Sequence, residues 1–261
     1  MLTEALDPRR CLALAGARNL RDLGGYSTQD GQTTQWRKFL RSAKLDGLTE
    51  VAQKELVDYG VGTVVDLRSP EEIARYPNVF AQSKDVAYHH LDLWGDRVND
   101  FRSSPLSLGQ AEKLADLLRT GLTRCDDVIG EIMRTLADAG DDALVFHCGA
   151  GKDRTGLISA LLLGIAGVPD DTIAVDFALT EKYLDEPYRD HAAEDPLAIP
   201  ERRDGDPMPE PLPVYFYSCF PETMLLTLEF LGEEYGGAEG YLRKAGLNND
   251  RIERLRVKLL D

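Results

Sequence analysis

Cysteine and histidine are scarce in this sequence, four of each, and they are not grouped. Cys11, Cys125, Cys148 and Cys219 lie far apart, and among the histidines only His89 and His90 are neighbours, so neither a disulfide framework nor a metal-ligand spacing can be read. No metal and no cofactor is expected. Basic charge is also in deficit, with 30 Lys and Arg against 45 Asp and Glu and a formal net charge of −15. Such a surface disfavours nucleic acid or an anionic membrane as a partner of the whole protein, and any anionic substrate has to be attracted locally. Apolar runs are too short to span a bilayer, and the opening Met1-Leu2-Thr3-Glu4 has no basic region leading into an apolar core. No integral membrane association is expected, and the cytoplasm is the default location.

What is present centres on Val145-Phe146-His147-Cys148-Gly149-Ala150-Gly151-Lys152-Asp153-Arg154-Thr155-Gly156. Ala143 to Phe146 reads as a buried strand and the apolar residues after Gly156 as a helix, so a strand-to-helix turn lies between them. Backbone N–H groups of such a turn can curl into a nest, and the helix aims its positive dipole end into the same space. Gly149 and Gly151 permit the curl. A cysteine at the mouth of the nest sits in a field that favours the thiolate, which makes Cys148 a candidate nucleophile. Arg154 falls in the first helical turn, where its planar fork can hold two phosphate oxygens.

The common glycine-rich nucleotide loops do not fit. A Walker-type loop requires Ser or Thr after Gly-Lys, where Asp153 stands, and glycine where Phe146 stands. In the dinucleotide pattern Arg154 replaces the third glycine.

Cys, five residues and Arg, preceded by His and followed by Thr-Gly, resembles the signature of the protein tyrosine phosphatase superfamily. The fuller form His-Cys-x-x-Gly-Lys-Asp-Arg-Thr-Gly is similar to its atypical bacterial and fungal branch, which includes secreted mycobacterial and listerial tyrosine and lipid phosphatases. Asn19-Leu20-Arg21-Asp22-Leu23-Gly24-Gly25, Val65-Asp66-Leu67-Arg68 and Asp176-Phe177-Ala178-Leu179-Thr180 add to the resemblance. It implies a phosphatase loop that binds phosphate through Gly149, Ala150, Gly151, Lys152, Asp153 and Arg154, with Cys148, Arg154, Asp153 and Thr155 as catalytic residues. It also places Arg21 and Asp22 near the loop as supporting residues, gives Lys152 a part in multiply phosphorylated substrates, and allows export without a readable signal.

The rest of the chain supplies a frame. Residues 1 to 12 read as a poorly anchored tail, and Thr33 to Ser42 as a strand or short hairpin. Thr49 can cap a helix through Tyr59 ended by Gly60, Val61 to Leu67 reads as a buried parallel strand, and Ser69-Pro70-Glu71-Glu72 as a capping box with proline at the first helical position. Asp66 and Arg68 fall at the carboxyl end of that strand, the edge where open α/β sheets bind ligands. Val86 to Leu93 predicts a second strand, and Gln110 to Leu118 and Cys125 to Leu136 predict helices. After the loop, Leu157 to Ala166 should be a buried central helix, followed by one through Asp176 and Thr180; Pro221 to Tyr235 and Asn249 to Leu260 should close the fold as amphipathic helices. The alternation predicts an α/β fold with a central, mostly parallel sheet flanked by helices. With 261 residues, one phosphatase domain spanning 1–261 is expected, with a Pro- and acid-rich insertion at 184–213.

His147 should point to the strand face opposite Cys148 and brace the loop rather than act as base. Three aspartates compete for general acid. Asp153 lies in the loop itself, Asp96 belongs to a Trp94-Gly95-Asp96 sequence that echoes the Trp-Pro-Asp loop of conventional tyrosine phosphatases, and Asp92 is nearer its strand. The expected activity is a metal-independent cysteine phosphomonoesterase acting on phosphorylated protein or phosphoinositide. The alternatives are a phosphate-binding module on a disabled phosphatase fold, which would have lost the cysteine, arginine or acid, and a cysteine acyl hydrolase, in which Arg154 has no purpose. If 184–213 is a lid, as long irregular insertions often are, deleting residues 188–209 should change turnover or substrate preference in a phosphatase assay; unchanged kinetics would make it a surface loop.

Overall fold

Five strands form, of which β3 and β5 are the mainly apolar ones: β1 (Arg21–Asp22), β2 (Phe39–Ser42), β3 (Val61–Asp66), β4 (Ala87–His90) and β5 (Ala143–His147). In the computed structural model, which describes residues 2–95, 97, 110–184 and 218–260, they form one sheet in the order β1-β2-β5-β3-β4. β1 is antiparallel to β2, and the other pairings are parallel. The expected α/β class with a mostly parallel sheet is observed.

The two sheet faces bury different layers. Leu40, Val64, Ala143 and Val145 pack with Ala52 and Leu56 of α2 (Glu50–Tyr59). Phe39, Val65, Leu144 and Phe146 pack on the other face with Leu157, Ile158 and Leu161 of α6 (Asp153–Ile165). The strict alternation along β5 follows from the two-residue period of a strand. It also sends the next side chain on the α2 face, His147, to the side away from α6.

The helix signals act as their chemistry requires. The Thr49 side chain accepts from the Ala52 N–H and α2 ends at Gly60, whose φ is 114°. Ser69 and Glu72 form a reciprocal capping box at the start of α3 (Pro70–Arg75). α1 (Leu2–Ala5) precedes these. α4 (Gln110–Arg124), α5 (Asp126–Asp138), α7 (Asp170–Tyr183), α8 (Pro221–Tyr235), α9 (Ala238–Lys244) and α10 (Asn249–Leu260) complete the α6 side. α6 itself is buried around most of its circumference, from Thr155 to Leu163. Each large apolar side chain so buried contributes roughly 1.5–3 kcal/mol, so the helix that carries the loop is a fixed support.

Three local expectations are corrected. The strand or short hairpin expected over 33–42 is split: Thr33 pairs antiparallel with Ser27 in a short hairpin, and a ladder strand begins only at Phe39, after Arg37 adopts a left-handed φ of 62°. Residues 2–12 are not a loose tail: Arg10 is fully buried, donates to the Asp22 carbonyl at 2.8 Å and stacks its guanidinium 3.6 Å from the Tyr26 ring centroid. Cys125 is buried at the N-cap of α5 rather than within the helix. Residues 185–213 of the insertion, and Asp96, lie outside the described residues. No helix among the described residues is long and apolar enough to cross a membrane.

Candidate active site

The loop leaves the carboxyl end of the central strand β5, between β2 and β3, and runs from Cys148 into α6. Its two glycines answer different constraints. Gly151 has φ +68°, and a Cβ there would lie 2.3 Å from the Ser42 carbonyl oxygen. Gly149 needs no left-handed backbone; a Cβ there would meet a Glu72 carboxylate oxygen at 3.0 Å.

Four successive carbonyls of the loop are held from outside. The Cys148 carbonyl is 3.2 Å from His147 Nδ1. The Gly149 carbonyl accepts from the Lys44 backbone N–H at 3.0 Å. Asn19 Nδ2 donates to both the Ala150 and Gly151 carbonyls at 3.0 Å, and Arg41 donates to the Gly151 carbonyl at 2.8 Å. In a trans peptide the C=O and the following N–H point in opposite directions. Fixing these carbonyls outward therefore aims the N–H groups of Gly149, Ala150, Gly151 and Lys152 to the other side, as a concave set of donors at the start of α6.

The Thr155 hydroxyl donates to Cys148 Sγ at 3.2 Å, across one turn of that helix start. Both residues are buried, so the sulfur is not a surface thiol. Arg154 is held end-on by Glu72, with Nη1 to Oε2 at 2.6 Å and Nη2 to Oε1 at 2.9 Å. Burial alone would lower the Arg154 pKa, but the Glu72 carboxylate, with the Cys148 thiol and Asp92 also acting on it, raises it. Burial likewise opposes ionisation of Glu72, and the Arg154 guanidinium more than offsets this and lowers its pKa. The pair is charged on both sides. The sequence marks Glu72 only as the closing residue of a capping box; it serves both duties, accepting from the Ser69 N–H at 2.9 Å as well.

His147 and Asp66 are register partners on β5 and β3, so their side chains meet on the α2 face, with His147 Nε2 3.4 Å from Asp66 Oδ2. Asn78 Oδ1 accepts from the Phe80 N–H, which leaves its Nδ2 to face His147 Nε2 at 2.7 Å. That contact assigns Nε2 as the acceptor and puts the imidazole proton on Nδ1, toward the Cys148 carbonyl. Burial pushes the His147 pKa down, which keeps the ring neutral. Burial would raise the Asp66 pKa, but the Arg68 guanidinium, through twin hydrogen bonds at 2.9 and 2.7 Å, holds it well below the usual carboxylate range. With the ring neutral, Arg68 is the counter-charge.

The other residues singled out from sequence sit as follows. Arg21 reaches the loop indirectly: its Nε donates to Asp176 at 3.1 Å and it also donates to Asn19 Oδ1. Asp22 is not brought to the loop. The next residue on a strand points to the opposite face, where its carboxylate accepts from the Gly24 and Arg37 N–H groups and the Tyr59 hydroxyl. Lys152 is buried, at 3 % exposure, rather than at an open rim, with Nζ 3.8 Å from Asp153 Oδ1. Asp153 starts α6, and its Oδ1 is buried without a hydrogen-bond partner among the described residues. The Asp92 side chain accepts from the Gly95 N–H, and its charge is felt at Arg154. Asp96 lies outside the described residues. Burial pushes Cys125 and Cys219 up to about 11 each, so neither is a ready thiolate.

Sequence reasoning missed the side chains that hold the loop from behind: Glu72, Asn78 and Arg41. A buried arginine in a strand flanked by apolar residues, as in Phe39-Leu40-Arg41, was the available signal, since an arginine is rarely fully buried unless paired.

A parallel sheet that delivers a cysteine-to-arginine loop onto a helix start, with inward-facing amides between them, defines an oxyanion-binding cysteine site of the phosphatase kind. The chain belongs to the tyrosine phosphatase family, whose family model matches residues 12–261. A tyrosine-protein phosphatase of Nostoc commune is 32% identical over 225 residues, which cover 85% of this chain and 74% of that protein. The triple specificity protein phosphatase PtpB of Mycobacterium tuberculosis is 27% identical over 283 residues, covering 95% of this chain and 98% of that one. The solved structure of P. aeruginosa TpbA in complex with pTyr has a TM-score of 0.38 and 17% identity, covering 72% of this chain and 89% of that one, too distant a likeness to inform the site.

The two buried carboxylates behind the loop give the site a pH dependence. Asp176, buried against Arg21 and Arg41, is also held well below the usual carboxylate range: burial would raise it, and the guanidiniums more than offset this. Because both folded-state values lie below the unfolded value of about 3.9, their stabilisation is full above that value and is lost as pH falls through the native values. Urea unfolding should show wild-type stability falling below about pH 4. Asp176→Asn should be destabilised by about 3–5 kcal/mol at neutral pH and fall less steeply in acid; equal slopes would contradict the assignment.

Proposed function

We propose that the chain hydrolyses phosphotyrosine through a cysteinyl phosphate on Cys148, within one phosphatase domain spanning 1–261. The observation that carries this reading is the Cys148 sulfur, bonded by Thr155, at the end of four N–H groups whose carbonyls are all held outward.

Each residue has a role that its surroundings support. Cys148 Sγ attacks phosphorus, and the P–S bond forms as the bond from phosphorus to the ester oxygen breaks. The equatorial oxygens collect negative charge, which the loop amides and Arg154 balance. Glu72, occupying Nη1 and one side of Nη2, leaves the Nε side of the guanidinium fork for the phosphoryl group. Asp153 protonates the departing oxygen; a buried Oδ1 with no hydrogen-bond partner among the described residues, and only the Lys152 ammonium 3.8 Å away, suits a group that hydrogen-bonds the substrate. Water then attacks phosphorus, Asp153 takes its proton, the P–S bond breaks and inorganic phosphate leaves. Thr155 donates to the sulfur as it departs. Asp96, outside the described residues, is the rival acid, and Asp92, whose charge is felt at Arg154, the third.

Phosphoserine, phosphothreonine and phosphoinositides extend the substrate range. The mycobacterial relative, a triple specificity phosphatase, supports the breadth. Lys152, whose ammonium lies beside Asp153, adds positive charge for a multiply phosphorylated substrate. The cytoplasm is the proposed location.

Release of phosphate from p-nitrophenyl phosphate and from phosphopeptides tests the reading. Cys148→Ser should abolish turnover and retain oxyanion binding. Arg154→Lys should lose most activity, since an ammonium cannot reproduce the fork. Asp153→Asn should lower turnover on an alkyl phosphate by about 10²–10⁴-fold and hurt an aryl phosphate less, because a phenolate leaves more readily unprotonated. If Asp92→Asn shows that pattern instead, Asp92 is the acid. Turnover by Cys148→Ser, or a need for divalent metal, would refute the mechanism.

A further inference from the structure

The peptides on either side of Gly151 are the ones the loop can most easily turn over, because glycine accepts either sign of φ at little cost. A flip there would bring a carbonyl oxygen into the cradle in place of an N–H, a partial negative charge where an oxyanion has to sit. The strongest external hold falls on these same two peptides. Asn19 Nδ2 bridges the Ala150 and Gly151 carbonyls, and the Arg41 guanidinium donates to the second.

Neither side chain is free to choose another orientation. Arg21 donates to Asn19 Oδ1, which fixes which end of the amide faces the loop. Arg41 gives Nη1 to Asp176 at 2.6 Å, and Arg21 takes the other oxygen of the same carboxylate together with the Tyr26 hydroxyl. Arg21 and Arg41 are direct cross-strand partners, an arrangement that like charges disfavour, and Asp176 between them offsets the repulsion. Burial and the nearby Arg21 push the Arg41 pKa down only to about 10, so it is charged at neutral pH. All five side chains are buried, and the charged Arg41 guanidinium donates to a carbonyl whose peptide presents the Lys152 N–H to the cradle. A carbonyl polarised in this way strengthens its own N–H as a donor.

We infer that Asn19 and Arg41 are positioning residues that set oxyanion affinity by preventing the Gly151 peptides from flipping. The inference rests on the phosphatase reading, but its test does not need turnover. Asn19 has φ 54°, a conformation that Gly adopts freely and Asp tolerates. Asn19→Gly therefore deletes the donors with little backbone penalty, and Asn19→Asp replaces them with acceptors facing carbonyl oxygens.

Tungstate and inorganic phosphate binding would be measured by calorimetry in the Cys148→Ser protein with and without each substitution, at a temperature where circular dichroism shows every variant folded. Orthovanadate inhibition and the split between KM and kcat would be read in the parent. Tungstate affinity should fall tenfold or more in Asn19→Gly and further in Asn19→Asp, with vanadate inhibition weakened in parallel and KM raised. Arg41→Lys, which keeps charge but cannot bridge Asp176 and the carbonyl, should fall between the parent and Asn19→Asp. A purely structural role would lower the melting temperature and leave oxyanion affinity within twofold of the parent; that result, or failure of both Asn19 variants to fold, overturns the inference. Weakened tungstate binding in a chain with no phosphatase activity would refute the proposed function and leave the inference standing.

Discussion

A planar trans peptide cannot present its carbonyl and its N–H to the same side. The loop after β5 depends on that constraint. An oxyanion site made of main-chain amides carries no side chain that could be selected to aim it, so the aim has to come from whatever holds the carbonyls. Here the holders come from separate places in the chain: a histidine one residue before the nucleophile, a backbone N–H just after β2, an asparagine before β1 and an arginine on β2. The sheet brings them together because β5 lies between β2 and β3.

The same logic explains why so many charges are buried behind a small loop. Arg10, Arg21, Arg41 and Arg68 are all fully buried. Each would be costly alone, since an ion out of water loses several kcal/mol even after relaxation. Each is paired or donates to carbonyls: Arg68 to Asp66, Arg21 and Arg41 to Asp176, and Arg10 to the backbone at Asp22 and Glu4. Two separate ionic clusters thus flank the loop, one on each sheet face. Asp66, His147 and Asn78 stand on the α2 side, and Asp176 with its two arginines on the α6 side. Hydrophobic side chains of similar volume would pack as well, but they could not donate to a carbonyl.

Much of this was legible in the chain. The capping box at Ser69 and Glu72, the glycine stop at Gly60, the buried helix after Gly156 and the strand before Cys148 are local patterns, and local patterns act through neighbours a few residues away. The opposite face of His147 followed from strand periodicity alone. Where the reading went wrong, a distant contact was responsible. Residues 2–12 are anchored by Arg10 stacking on Tyr26, the strand or hairpin expected over 33–42 is split at Arg37, and Asp22 serves a turn and Tyr59 rather than the loop.

By itself the sequence determined the class of sheet and the place of the Cys148-to-Arg154 loop between strand and helix, because these follow from periodicity and from spacing within one segment. Tertiary structure decided what Arg154 pairs with, which way the loop amides face, that Lys152 is buried, and that Asp176 lies between Arg21 and Arg41. The contacts of Arg154 with Glu72 and of Asp176 with Arg21 and Arg41 join residues 82 to 155 positions apart, and the strand order that creates them is set by how the whole core packs, which no short stretch of the chain contains.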